Sequence, residues 1–128
     1  MTQEDTTLEV LSEVYHALRA SRRRYLIQLL AETDEENLSV RTCARYIAAI
    51  EEEVQPEKAT GEPYRNAYNS LSQTHLPTLS DAGVIIYDPD RQTVSSGPNM
   101  QFAVLVIALN RVTYQSLQGQ RLSDFEDL

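Results

Sequence analysis

Apolar residues recur three and four positions apart through the first half of the chain, the spacing that sets them on one face of a helix. Leu8, Leu11, Val14, Tyr15 and Leu18 form the first series and predict a helix reaching about Arg19. Thr6 followed by Glu9 fits a capping box, each side chain satisfying a free amide, which leaves residues 1–5 as a disordered N-terminus. Ser21 is the expected cap of a second helix, with Leu26, Leu29 and Leu30 facing inward, and "TDEEN" reads as a loop. Ser39 opens a third helix whose buried stripe is Val40, Cys43, Ala44, Ile47 and Ile50. Gln55-Pro56 ends it, because the residue before a proline is pushed out of the helical region.

A fourth helix is predicted from Glu62 or Pro63 to Gly83, a proline being welcome in the first turn and a glycine just past the last. Ala67, Leu71, Leu76 and Leu79 supply its inner surface. Pro77 removes an amide from its interior, so a kink or a tighter turn is expected around Gln73 to Pro77. "VIIYD" and "TVSS" then flank Asp88-Pro89-Asp90, a turn sequence, giving a β-hairpin over residues 84–97. Asn99 begins a last helix that reaches Gln118, leaving residues 119–128 as an acidic tail. Its segment "FAVLVIAL" is apolar all round, and so needs cover on both sides. A second copy of the same helix supplies that cover through Phe102, Val104, Leu105, Val106, Ile107, Leu109 and Val112, an isologous dimer. The alternative is that both faces are buried within one chain, against the first helix.

Composition alters this picture in one respect. Nineteen acidic residues face eleven basic ones, a net charge of −8, and Lys58 is the single lysine. Few lysines, many carboxylates and no tryptophan resemble proteins of salt-loving archaea, whose saline cytoplasm screens self-repulsion. A pI near 4.7 then no longer argues against a nucleic-acid partner. One cysteine suits a reducing cytoplasm, and two histidines with it make a protein-only metal site improbable. No apolar stretch is long enough to cross a membrane, and "MTQEDTTLEV" lacks the features of a signal peptide. Paired catalytic carboxylates, a nucleophile with its base and a phosphate-cradling glycine loop are all missing, so neither an enzyme nor a cofactor is expected.

The order of elements, with "LRASRRRYLIQLL", "SVRTCARYIAAIEEE" and above all "HLPTLSDAGVIIYDPDRQTV", resembles the winged helix-turn-helix fold. It looks most like an archaeal winged-helix domain of unknown function related to ArsR-type transcriptional regulators. The resemblance covers roughly residues 8–98 and implies a mainly α fold with a small β-hairpin wing, a winged helix-turn-helix domain over 6–98, which the apolar helix over 99–118 follows as the expected dimerisation helix.

A helix-turn-helix presents its second helix to the major groove, so that helix carries short hydrogen-bonding groups outside. Arg65, Asn66, Asn69 and Gln73 fall on one outer side of the 63–83 helix; arginine can pair with guanine, and asparagine or glutamine with adenine. Tyr64 sits beside them, and Arg41 and Arg45 near the front of the third helix suit the phosphate backbone. A solvated helix face would contain similar residues. Arg91 at the hairpin tip is either a minor-groove contact or the local partner of Asp88 and Asp90. The run Arg22, Arg23, Arg24 with Arg19 is either a phosphate clamp or an internal tie, to Asp81 or Glu13. Cys43 and His75 read as packing residues and His16 as surface. Two functions follow: a homodimeric, sequence-specific transcriptional regulator on a palindromic DNA site, or an acidic winged-helix module that binds another protein.

Overall fold

The computed structural model describes residues 3–126, and the side chains of 7–118. It is mainly helical, with a small antiparallel sheet. Helix α1 (Gln3–Ala17) begins ahead of Thr6, so Thr6 and Glu9 lie inside the helix and form no capping box. Residues 1 and 2 of the expected disordered terminus lie outside the described residues. In α2 (Ser21–Glu32), Ser21 is the first helical residue and Ala20 takes the cap position without a side-chain bond. The Arg23 and Arg24 amides donate to the Ala20 carbonyl there. Ser39 does cap α3 (Val40–Glu52), its hydroxyl accepting from the Thr42 amide at 3.1 Å. That helix stops before Gln55-Pro56: Glu53 turns left-handed at φ 57°, and the amides of Glu53 and Val54 close on the carbonyls of Ile50 and Ala49. Pro56 instead opens a short 3-10 turn, Pro56–Lys58.

The fourth predicted helix is two helices, α4 (Glu62–Ser70) and α5 (Leu76–Asp81), joined by a π-helical turn over Leu71–His75. The perturbation is wider than an α-turn, where a tighter one was expected. The Leu76 amide reaches back five residues to the Leu71 carbonyl, and Pro77 has no amide to restore the ordinary pattern. Helical geometry shows what the wide turn achieves. On a continuous α-helix Leu76, nine residues after Ala67, would point about 180° away from it. The turn absorbs one extra residue, and Ala67, Leu71, Leu76 and Leu79 all reach the core. Thr78 returns a hydroxyl to the Thr74 carbonyl at 2.8 Å, just after the wide turn.

Gly83 ends α5 with φ 73°, as its position predicts, and the hairpin follows as β2 (Ile85–Asp88) and β3 (Thr93–Ser96). A third strand that the periodicity does not announce, β1 (Leu38–Ser39), pairs with β3, so the sheet order is β1-β3-β2. Two residues are too few to display an alternating pattern. At the base of the hairpin Gly97 meets the end of α5: a Cβ there would lie 2.6 Å from the Gly83 oxygen and 2.9 Å from the Ile85 nitrogen. Gly97→Ala should therefore cost about 1–3 kcal/mol in urea unfolding, because backbone and not a yielding side chain stands in the way. An unchanged unfolding midpoint would contradict it.

Helix α6 (Met100–Glu126) runs through Gly119 instead of stopping before it, so residues 119–126 of the expected acidic tail continue the helix, and 127 and 128 lie outside the described residues. One interior glycine costs a helix only about 1 kcal/mol, too little to end it among good helix formers. Met100, Ala103 and Val106 of α6 are buried, and the helix packs chiefly on α2, not on α1. The core beneath joins Leu26 and Ile27 of α2, Ile47 of α3, Leu71, Leu76 and Leu79, and Val84 and Val94 of the hairpin. Among the described residues no helix is long and apolar enough to cross a membrane.

Candidate nucleic-acid interface

The outer side of α4 is open. Arg65, Asn66 and Asn69 are exposed, as is Gln73 in the wide turn, and their side chains make no hydrogen bond or ion pair among the described residues. The buried partner of this face is Ala67, a small side chain that lets α4 lie close on α3. Tyr64 is half-buried, its ring 6.2 Å from that of Tyr68, so packing takes up part of it. Arg41 and Arg45 stand one turn apart on the exposed side of α3 and, among the described residues, form no ion pair. Their positions place free guanidinium groups on α3 and α4, the two helices that pack most extensively on each other.

The hairpin is tied to both of these helices through one residue that the sequence reading passed over. Gln92 ends the turn in the left-handed region, φ 55°. Its carbonyl accepts the Val40 amide at 2.9 Å, its Oε1 accepts the Tyr68 hydroxyl at 2.7 Å, and its Nε2 donates to the Pro89 carbonyl at 2.8 Å. A four-residue loop built on a type I turn commonly needs such a last residue, which was the available signal. Asp88 Oδ1 accepts the amides of Asp90 and Arg91, both at 3.1 Å, which closes the turn. Its other oxygen is 3.9 Å from Arg91 Nε, so the exposed Arg91 is only loosely held.

The acidic residues of this region are distributed unevenly. Asp88 is engaged in the turn, and Asp81 lies at the far end of α5, on a groove of about 450 Å³ shared with Glu13 and His16. Glu62 remains exposed in the first turn of α4, and Asp90 is exposed on the hairpin.

Two members of the arginine run, Arg22 and Arg24, are used internally, but with other partners than expected. Arg22 makes a two-pronged bond to Glu51 of α3, Nε to Oε2 at 2.8 Å and Nη2 to Oε1 at 2.7 Å. Its third nitrogen donates to the Ser70 hydroxyl at 2.6 Å, so α2, α3 and α4 meet on one guanidinium. The bond to Glu51 holds the Arg22 pKa up, against desolvation. Arg24 folds back onto the carbonyls of Leu18 and Arg19. Neither Asp81 nor Glu13 is involved. A charge pair between distant helices depends on packing, which local sequence does not disclose.

The expected dimer surface divides. Val106 is only 6% exposed and belongs to its own domain's core, because α6 lies on α2 at that level; it cannot face a partner. Phe102, Val104 and Ile107 are half-buried against the same core. Leu105, Leu109 and Val112 are 55–59% exposed and line up on one side of the helix.

Among known proteins, the model of a family described as a domain of unknown function (DUF7344) matches residues 15–95, from the end of α1 through β3 and short of α6. No curated protein and no solved structure matches the chain.

Proposed function

We propose a gene-regulatory role for this chain, which belongs to the family described as a domain of unknown function (DUF7344): a winged helix-turn-helix protein that binds a specific DNA sequence as a homodimer. The order helix, strand, three helices (α3, α4 and α5), hairpin over α2 to β3, with β1 completing the sheet, supports the winged-helix reading. In it α4 enters the major groove and the turn around Arg91 braces the neighbouring backbone. The observation that carries the proposal is the free outer side of α4, where Arg65, Asn66 and Asn69 are exposed and unengaged. Arg65 suits guanine and the two amides suit adenine, with Gln73 further along and Tyr64, Arg41 and Arg45 toward phosphates. Leu105, Leu109 and Val112 pair with their copies, which sets two reading helices about one DNA turn apart.

The test is fluorescence anisotropy of the intact chain on promoter DNA of its own operon, in molar potassium salt. Sequence-dependent binding is expected, and Arg65→Ala should weaken it by roughly 10–100-fold on the preferred site, the worth of a lost paired contact to guanine. The salt dependence should be shallow, because an acidic surface near phosphate takes up cations as arginines release them. Absence of sequence preference at every salt concentration would refute the proposal. Glu62, exposed at the groove end of α4, favours the alternative of a protein-binding module; binding to a protein partner that survives Arg65→Ala while no duplex binds would establish it.

A further inference from the structure

Away from the outer side of α4, a group of polar atoms is buried without partners. Arg23 Nε and Nη1, His75 Nδ1 and Ser72 Oγ are out of contact with solvent, and none has a hydrogen bond among the described residues. Ser72 and His75 stand three residues apart in the π-helical turn, and His75 lies within electrostatic reach of Arg22, Arg23 and Glu51. Arg19 in turn acts on Arg23. Near His75 two guanidinium groups, Arg22 and Arg23, therefore stand against a single carboxylate, and Glu51 is already held by both prongs of Arg22. The first turn of α2 adds no acid, and Ala20 offers its amides no side-chain cap.

Buried donors of a charged group are costly unless something accepts from them. A water molecule could accept, but it would leave the excess positive charge in place. We infer that Arg23, His75 and Ser72 form a binding site for one small free anion, of the size of a halide or inorganic phosphate. Arg23 donates two hydrogen bonds, the Ser72 hydroxyl one, and His75 one through Nδ1–H, which the neutral imidazole can carry. The positive surroundings and burial hold the His75 pKa below its ordinary value, first through desolvation and then through Arg23 and Arg22, with Glu51 opposing. An anion in the site cancels part of that field, and so raises it. The inference does not depend on DNA binding.

His75 and His16 are the two histidines, so the imidazole resonances of the intact chain resolve the question. Bromide or phosphate replaces gluconate at constant ionic strength. A saturable shift of the His75 signals is expected, together with a rise in its pKa, while exposed His16 follows neither. Arg23→Gln should abolish the response and Arg65→Gln should leave it intact. A His75 response that only tracks His16, or that persists unchanged in Arg23→Gln, would overturn the inference. So would a response to duplex DNA alone, which would mark a backbone phosphate contact. If Arg23→Gln does not fold, crystals of the unaltered protein in bromide decide: an anomalous peak between Arg23 and His75 supports the site, and ordered water there refutes it.

Discussion

Replacing Leu105 and Leu109 together with aspartate is expected to turn the proposed dimer into a folded monomer. Both side chains are more than half exposed, so neither substitution disturbs the domain that α6 lies on. From Ala108 to Gln118 every residue of α6 is exposed, and a helix standing in water over that length is marginal without a partner. A second copy of the stripe Leu105, Leu109, Val112 provides one, and four like charges at its centre should separate the pair. Sedimentation velocity reads the change of state, with the far-UV spectrum retained. Affinity for a palindromic duplex should fall by roughly 10²–10⁴-fold as the second half-site stops contributing. Val106→Asp is the contrast: it puts a carboxylate into the core and should unfold the domain. Wild-type chain sedimenting as a monomer, or the double variant remaining dimeric, would refute this interface.

The second large effect concerns Cys43. It is fully buried on α3, and burial pushes its thiol up to about 12 from an ordinary 9.0. Above the ordinary value the unfolded chain releases the proton while the folded chain keeps it. The unfolded state then binds fewer protons, so stability falls as pH rises. The loss is about 1.4 kcal/mol per pH unit and about 4 kcal/mol across the whole window. Urea unfolding from about pH 8 to about pH 10.5 should show roughly the first 2 kcal/mol of this decline in the wild type, and Cys43→Ala should remove that part of the slope. Equal slopes in the two proteins would show that the thiol is not sequestered. A native thiol held in this way is also a poor nucleophile, which fits its sequence reading as a small core residue.

Helices whose apolar residues keep one period were legible from sequence: Val40, Cys43, Ala44 and Ile47 of the α3 stripe are buried, and the Ser39 cap and the left-handed Gly83 stand where the pattern puts them, while Ile50, expected in the same stripe, stays partly exposed. What escaped depends on distant partners or on pattern too short to see. Two-residue β1 exists because β3 offers it hydrogen bonds, and no local signal marks Leu38. Arg22 chose Glu51 and Ser70 once three helices had packed, although Asp81 and Glu13 were equally plausible by charge. The outward residues of α4 were readable because they share a face. Gln92 was not, since its role lies in two bonds made across the fold, to Val40 and Tyr68.

The wide turn between α4 and α5 has a consequence for how this segment can vary. It keeps two angular demands compatible: Leu76 and Leu79 anchor inward, and Asn66 and Asn69 stay outward. Deleting a single residue between 71 and 75 would remove the one that the wide turn absorbs and leave a continuous α-helix with both halves in phase. A second deletion, or a further insertion, would rotate one half against the other by about 100° and could preserve the anchorage or the outward amides, but not both, so length changes beyond that one residue should be tolerated in the hairpin tip well before they are tolerated here.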